Sequence, residues 1–165
     1  MTKPDDITFR DLAIGDAGWL IQRHGELYSE AEGFDATFEP LVAEILVDFM
    51  RNRDSSIERA WIAMRHGRRL GSIFCVKSGE DGIAKLRLFL VEPEARRLGL
   101  GAQLLEQCIA HARKHGFHTL RLWTHESHKA ACTLYTKYGF SCTTSKPVRS
   151  FGVDLVEQTW ELALL

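Results

Sequence analysis

Apolar and polar residues follow one another along this chain in two rhythms. Ile7 and Phe9 alternate with Thr8 and Arg10, the period of a half-buried strand, which predicts a strand over residues 7–12. The rhythm then lengthens. Trp19, Leu20, Leu27 and Tyr28 supply the apolar contacts of a helix over 17–28, with Asp16 at the capping position and Gly33 as the break after it. Leu41, Ile45, Leu46, Phe49 and Met50 recur at helical spacing and predict a second helix over 40–51, with Pro40 suited to its first turn. Residues 60–64, 70–76 and 83–91 read as strands, joined through His66-Gly67 and a turn over 79–82. Leu104, Leu105, Cys108, Ile109 and Ala112 share one face of a helix over 100–115, closed by Gly116. A strand over 119–123 follows, then a helix over 128–138 capped by Ser127 and closed by Gly139. Strands over 140–144 and 152–162 complete the chain.

Strands two, three and four have turn-length connections and should run antiparallel. Strands four and five flank a helix and should run parallel. The fold class is therefore α/β: a mixed, mostly antiparallel seven-stranded sheet with helices on both faces. Residues 1–165 are expected to form a single domain, since this length buries a sizeable core. The chain shows no repeats.

Charge and cysteine usage narrow the function classes. With 21 basic and 22 acidic residues, net charge is −1, which gives no support to nucleic-acid binding. The basic cluster over 65–69 reads as a solvated loop. Cys75, Cys108 and Cys132 fall in apolar runs and read as small core residues, and with Cys142 they form no Cys-x-x-Cys pair. Residues 1–6 have no apolar core of a secretory signal, and no segment reaches the length of a membrane span, so a cytoplasmic protein is expected. His111 and His115 stand one helical turn apart, but Ala112 occupies the place where a zinc-binding His-Glu-x-x-His needs glutamate, so no metal is expected.

The chemistry concentrates where an apolar strand ending in Phe89, Leu90 and Val91 runs into Arg96, Arg97, Leu98, Gly99, Leu100, Gly101 and Ala102 and then into a helix. A helix start carries unpaired N–H groups and the positive end of the dipole, and glycines let a ligand approach the backbone. This is a place for a pyrophosphate. Gly-Lys-Ser/Thr is absent, and Leu104 stands where a dinucleotide fingerprint has its third glycine.

Arg96-x-x-Gly99-x-Gly101 resembles the coenzyme A signature of the Gcn5-related N-acetyltransferase (GNAT) family. Ala130-Ala131-Cys132-Thr133-Leu134-Tyr135-Thr136-Lys137-Tyr138-Gly139-Phe140 resembles the family's late helix, and the order of elements is also the family's. Residues 32–39, 122–124 and 150–162 look like the acetyltransferase half of bacterial fusions with a MarR-type regulator, and this chain would be that half alone.

The resemblance implies a bacterial acetyltransferase with acetyl-CoA as co-substrate, and strands four and five splayed to admit it. The pantetheine arm would pair with the backbone of Phe89, Leu90 and Val91. The pyrophosphate would lie on the amides from Arg97 to Ala102, with Arg96 beside it. Tyr135 would protonate the departing thiolate, a task its phenol suits at a pKa of about 10. An amine would attack the thioester directly in a ternary complex. The chain departs from the pattern at His128, where the family often has asparagine, and in having no acid on the fourth strand and Trp123 on the fifth. Glu30, Glu32 and Glu126 are the candidate bases, with Glu32 preferred. Tyr28, Phe34, Phe38 and Phe151 are candidates to line an acceptor pocket, a small-molecule amine being favoured. The alternatives are a non-catalytic acyl-CoA sensor and a protein lysine or N-terminal acetyltransferase. The last two strands, around 145–162, are the part most apt to join a second copy in a homodimer.

Overall fold

The computed structural model describes residues 6–165, so the reading of residues 1–5 as no secretory signal lies outside it. Seven strands form one mixed sheet in the order β1-β2-β3-β4-β5-β7-β6. They are β1 (Thr8–Arg10), β2 (Arg59–Arg65), β3 (Arg68–Lys77), β4 (Ile83–Val91), β5 (Thr119–His125), β6 (Ser141–Ser150) and β7 (Val153–Ala163). The helices are α1 (Asp16–Glu32), α2 (Phe38–Asn52), α3 (Leu100–Lys114) and α4 (Lys129–Lys137). β4 and β5 are neighbours and run parallel, α3 being the crossover between them.

The chain falls into two compact units. The first holds the antiparallel strands β1 to β4 with α3. Leu104, Leu105, Cys108, Ile109 and Ala112 are all buried, as the helical spacing predicted, and Leu100 at the head of the helix is buried with them. Gly71 on β3 explains how closely this helix sits: a Cβ there would lie 2.6 Å from the Leu90 carbonyl oxygen and 3.2 Å from Leu104. β2 and β3 join through His66 (φ 50°) and Gly67 (φ 75°), both left-handed, as a two-residue hairpin turn requires. The second unit holds α1, α2, α4, β6, β7 and most of β5.

Several boundaries differ from expectation, each because a side chain makes a bond the pattern does not reveal. β1 stops at Arg10, since beyond it the Asp11 carboxylate, rather than backbone, accepts from the N–H groups of Leu12 (2.7 Å) and Ala60 (3.3 Å). Asp16 does not cap α1. It is the first helical residue, fully buried, and accepts backwards from the Ala13 N–H at 2.7 Å, while left-handed Gly15 makes the entry. Ser127 does not cap α4, because its hydroxyl donates to Glu32 at 2.7 Å and His128 takes the N-cap position. Pro93–Leu98 forms a 3-10 segment that the sequence reading passed over. Cys75 and Cys108 are buried, whereas Cys132 is only half-buried because Tyr135 alone of α4 goes fully inside; all four thiols are free.

His111 and His115 are engaged by backbone, His111 at Nε2 with the Ile57 carbonyl (2.9 Å) and His115 at Nδ1 with the His111 carbonyl (2.8 Å). Among the described residues no three His, Cys, Asp or Glu side chains gather as a metal site, and no helix is long and apolar enough to cross a membrane.

Candidate active site

In the first unit the site begins with an irregularity in β4. Ser72 of β3 pairs with Leu90, and Phe74 pairs with Arg87, so Leu88 and Phe89 together face a single residue. Leu88 takes the left-handed conformation (φ 48°), which a branched side chain adopts only under constraint. The constraint is the buried Ser72 hydroxyl, which donates to the Leu88 carbonyl at 2.6 Å. The bulge takes Leu88 and Phe89 out of the regular ladder, while Leu90 and Val91 remain paired with Ser72 and Gly71.

Beyond Val91 the Glu92 N–H bonds to the Leu70 carbonyl at 2.8 Å, and Pro93 starts the 3-10 segment. Gly99 ends that segment and opens α3 in the left-handed conformation (φ 73°), with open space where a Cβ would be. The N–H of Gln103 is the first to bond back, to the Gly99 carbonyl at 3.2 Å. The amides of Leu100, Gly101 and Ala102 therefore head the helix with no intrahelical acceptor. Arg96 and Arg97 are exposed beside them, and Leu98 is half-buried. Backbone donors, dipole and two cations fit a diphosphate.

In the second unit the four aromatic candidates form one cluster. Tyr28 lies 5.4 Å from Phe34 and 4.9 Å from Phe38 between ring centroids, and Phe151 lies 4.8 Å from Phe34 and 5.0 Å from Phe38. Phe151 reaches them from the two-residue turn between β6 and β7, where it is left-handed (φ 54°) ahead of Gly152. Such a turn favours Asn, Asp or Gly at this place. Ring packing and the Asp35 N–H, which donates to the Phe151 carbonyl at 2.9 Å, hold the phenylalanine there.

Tyr135 is buried on α4, with Phe140 and Trp160 at 5.5 and 6.2 Å from its ring. His128 starts that helix with Nδ1 3.5 Å from the Tyr28 hydroxyl. Glu32 is half-buried and held by Ser127, while Glu30 and Glu126 are exposed.

Two histidines that the sequence reading did not assign to the acceptor side are buried in this unit. His24 on α1 donates from Nδ1 to the Leu20 carbonyl at 2.7 Å, which leaves Nε2 as a bare acceptor; burial lowers its pKa to about 4. His125 ends β5 with its Nε2 buried and unpartnered. Burial lowers its pKa, Glu32 and Glu157 oppose the shift, and His128 adds to it. The sequence offered little sign of either, because a histidine in an amphipathic stretch reads as a surface residue.

A mixed sheet whose fourth strand leads through a left-handed glycine into α3 is the fold of solved acetyltransferases. The chain belongs to the acetyltransferase (GNAT) family, whose model matches residues 22–140. An uncharacterized N-acetyltransferase of Schizosaccharomyces pombe is 28% identical over 148 residues, covering 87% of this chain and 88% of its own. A mycothiol acetyltransferase of Thermomonospora curvata is 29% identical over 163 residues, covering 96% of this chain, which spans 50% of that protein. An acetyltransferase of Salmonella typhimurium solved with its cofactor acetyl-CoA superposes with a TM-score of 0.72 at 18% identity, covering 96% of this chain and 94% of the other. The protein is thus an acyltransferase of the acetyl-CoA-dependent kind.

Proposed function

We propose that the chain, working as one domain over residues 1–165, transfers the acetyl group of acetyl-CoA to a primary amine of a small molecule. The observation that carries this reading is the corner at Gly99, where left-handed glycine frees the amides of α3 for a diphosphate immediately after the bulged end of β4. The family model spans both compact units, which supports a single working domain. Four free thiols agree with a reducing, cytoplasmic place of work.

In this mechanism the amides from Arg97 to Ala102 and the Arg96 guanidinium hold the pyrophosphate, and the backbone of Phe89, Leu90 and Val91 holds the pantetheine arm. A backbone N–H near Leu90 polarises the acetyl carbonyl, a fixed donor of the kind worth about 3 kcal/mol. His128 bonds to the pantetheine or to a water beside it. The amine attacks in the ternary complex, and the Tyr135 hydroxyl protonates the sulfur as it leaves. Holding amine and thioester together supplies much of the acceleration. The aromatic cluster of Tyr28, Phe34, Phe38 and Phe151 favours an acceptor with an apolar body over a polar protein tail.

Calorimetry with acetyl-CoA, followed by thiol release in the presence of primary amines and short peptides, tests this. Binding with turnover of small amines is expected. Binding with no turnover on any acceptor identifies a sensor, and turnover on peptides alone identifies a protein acetyltransferase.

A further inference from the structure

We propose that His125 is the base that takes the proton from the acceptor amine, and that Glu32 steadies the imidazolium so formed. This rests on the acetyl-transfer reading above and completes it, since none of the carboxylates considered from the sequence is well placed for the task. Glu30 and Glu126 are exposed, and Glu32 already accepts from the Ser127 hydroxyl.

His125 is 3% exposed, and its Nε2 meets no hydrogen-bond partner. A polar nitrogen buried unpaired carries a desolvation cost that calls for an explanation, here a ligand that supplies the missing partner. Backbone bonds and three aromatic neighbours hold the residue in place. Its backbone carbonyl accepts from the His128 N–H at 3.0 Å and, at 3.8 Å, from the Cys132 thiol. Trp123 stacks edge-on at 4.5 Å, Phe34 at 5.4 Å and Phe151 at 6.3 Å. Two of those rings belong to the acceptor cluster, and Phe151 is held left-handed to reach it. Backbone strain of this sort gathers at working sites.

The charges around the imidazole are Glu32 from α1, Glu157 from β7 and His128 from the start of α4. Glu157 is itself engaged by Trp123 Nε1 (3.3 Å) and Lys146 (3.1 Å). Glu32 is the carboxylate whose field most favours the protonated ring. Burial disfavours the charged ring and so favours the neutral form, which is the one that accepts a proton.

The step balances. An ammonium acceptor gives one proton to Nε2, and the freed nitrogen lone pair forms the C–N bond. The C–S bond breaks with its electron pair on sulfur, which takes the Tyr135 hydroxyl proton. The second proton of the acylated nitrogen restores the phenol, and the imidazolium releases its proton to solvent. Aromatic rings beside the imidazole hold the ammonium before transfer.

The test uses the wild-type chain, phenethylamine, tyramine and an alanyl dipeptide as probes, and ¹⁵N-histidine NMR. The acid limb of kcat/KM should coincide with the titration of the His125 ring. His125→Gln should lower kcat/KM on the preferred probe about 100-fold or more and abolish that limb, with acetyl-CoA affinity unchanged. Glu32→Gln should move the limb to lower pH. A limb that does not match the His125 titration, or a His125→Gln profile like the wild type, overturns the inference and leaves the acetyl-transfer reading standing. The comparison on wild type alone decides the matter even if the variant does not fold. No affinity for acetyl-CoA, or no acetylation of any probe, removes the reading and this inference with it.

Discussion

Tyr135 shows what one side chain contributes at the residue scale. Its ring is 4% exposed between Phe140 and Trp160, so replacing it by phenylalanine keeps the packing and removes only the hydroxyl. Tyr135→Phe is expected to lower kcat about 100-fold with acetyl-CoA affinity nearly unchanged, as measured by steady-state kinetics beside calorimetry. His24 makes a different prediction. Its folded pKa, about 4, lies below the ordinary 6.5, so folding favours the neutral ring. The stability this contributes is complete above pH 6.5 and is lost as pH falls towards 4, amounting to about 3 kcal/mol for a shift of that size. Urea midpoints measured at pH 7.5 and 4.5 should therefore differ, and the difference should shrink in His24→Asn.

The pairing of β3 with β4 makes the prediction at the scale of elements. Their bulge depends on two small residues, Ser72, whose hydroxyl anchors the Leu88 carbonyl, and Gly71, which lets the Leu90 carbonyl come close. Gly71→Ala places a methyl 2.6 Å from that oxygen, which backbone cannot give way to cheaply, and should lower stability by about 1–3 kcal/mol together with acetyl-CoA affinity. Chemical denaturation and calorimetry on the same variant read both effects. The turn between β6 and β7 gives a counterpart: Phe151→Asn relieves the left-handed strain and removes a ring from the aromatic cluster proposed to receive the acceptor. It should keep or raise Tm while raising KM for aromatic amines, in a thermal melt and a kinetic assay respectively.

At the scale of the whole molecule, a ligand that binds only the folded chain must stabilise it. Acetyl-CoA at 100 times its Kd should contribute about 2.7 kcal/mol, visible as a rise in Tm that adenosine alone does not reproduce. Helices and strands of this chain were legible in the sequence because apolar period is a local property. The face of α3 came out residue for residue, and Gly99 declared its turn because only glycine enters that conformation freely. The glycine turn that opens α3 was legible for the same reason: its free amides are main-chain groups of consecutive residues. The grouping of the aromatic residues was not. Tyr28, Phe34, Phe38 and Phe151 could be nominated, but that they form one cluster depends on segments more than a hundred residues apart. Asp16 and Ser127 were misread as caps because their actual partners, Ala13 and Glu32, are chosen by the path of the chain. His125 stayed hidden because an unpaired nitrogen exists only once a ring is enclosed. Period and glycine placement are written in neighbouring residues, whereas burial, field and the lack of a partner are set by everything that packs around a group.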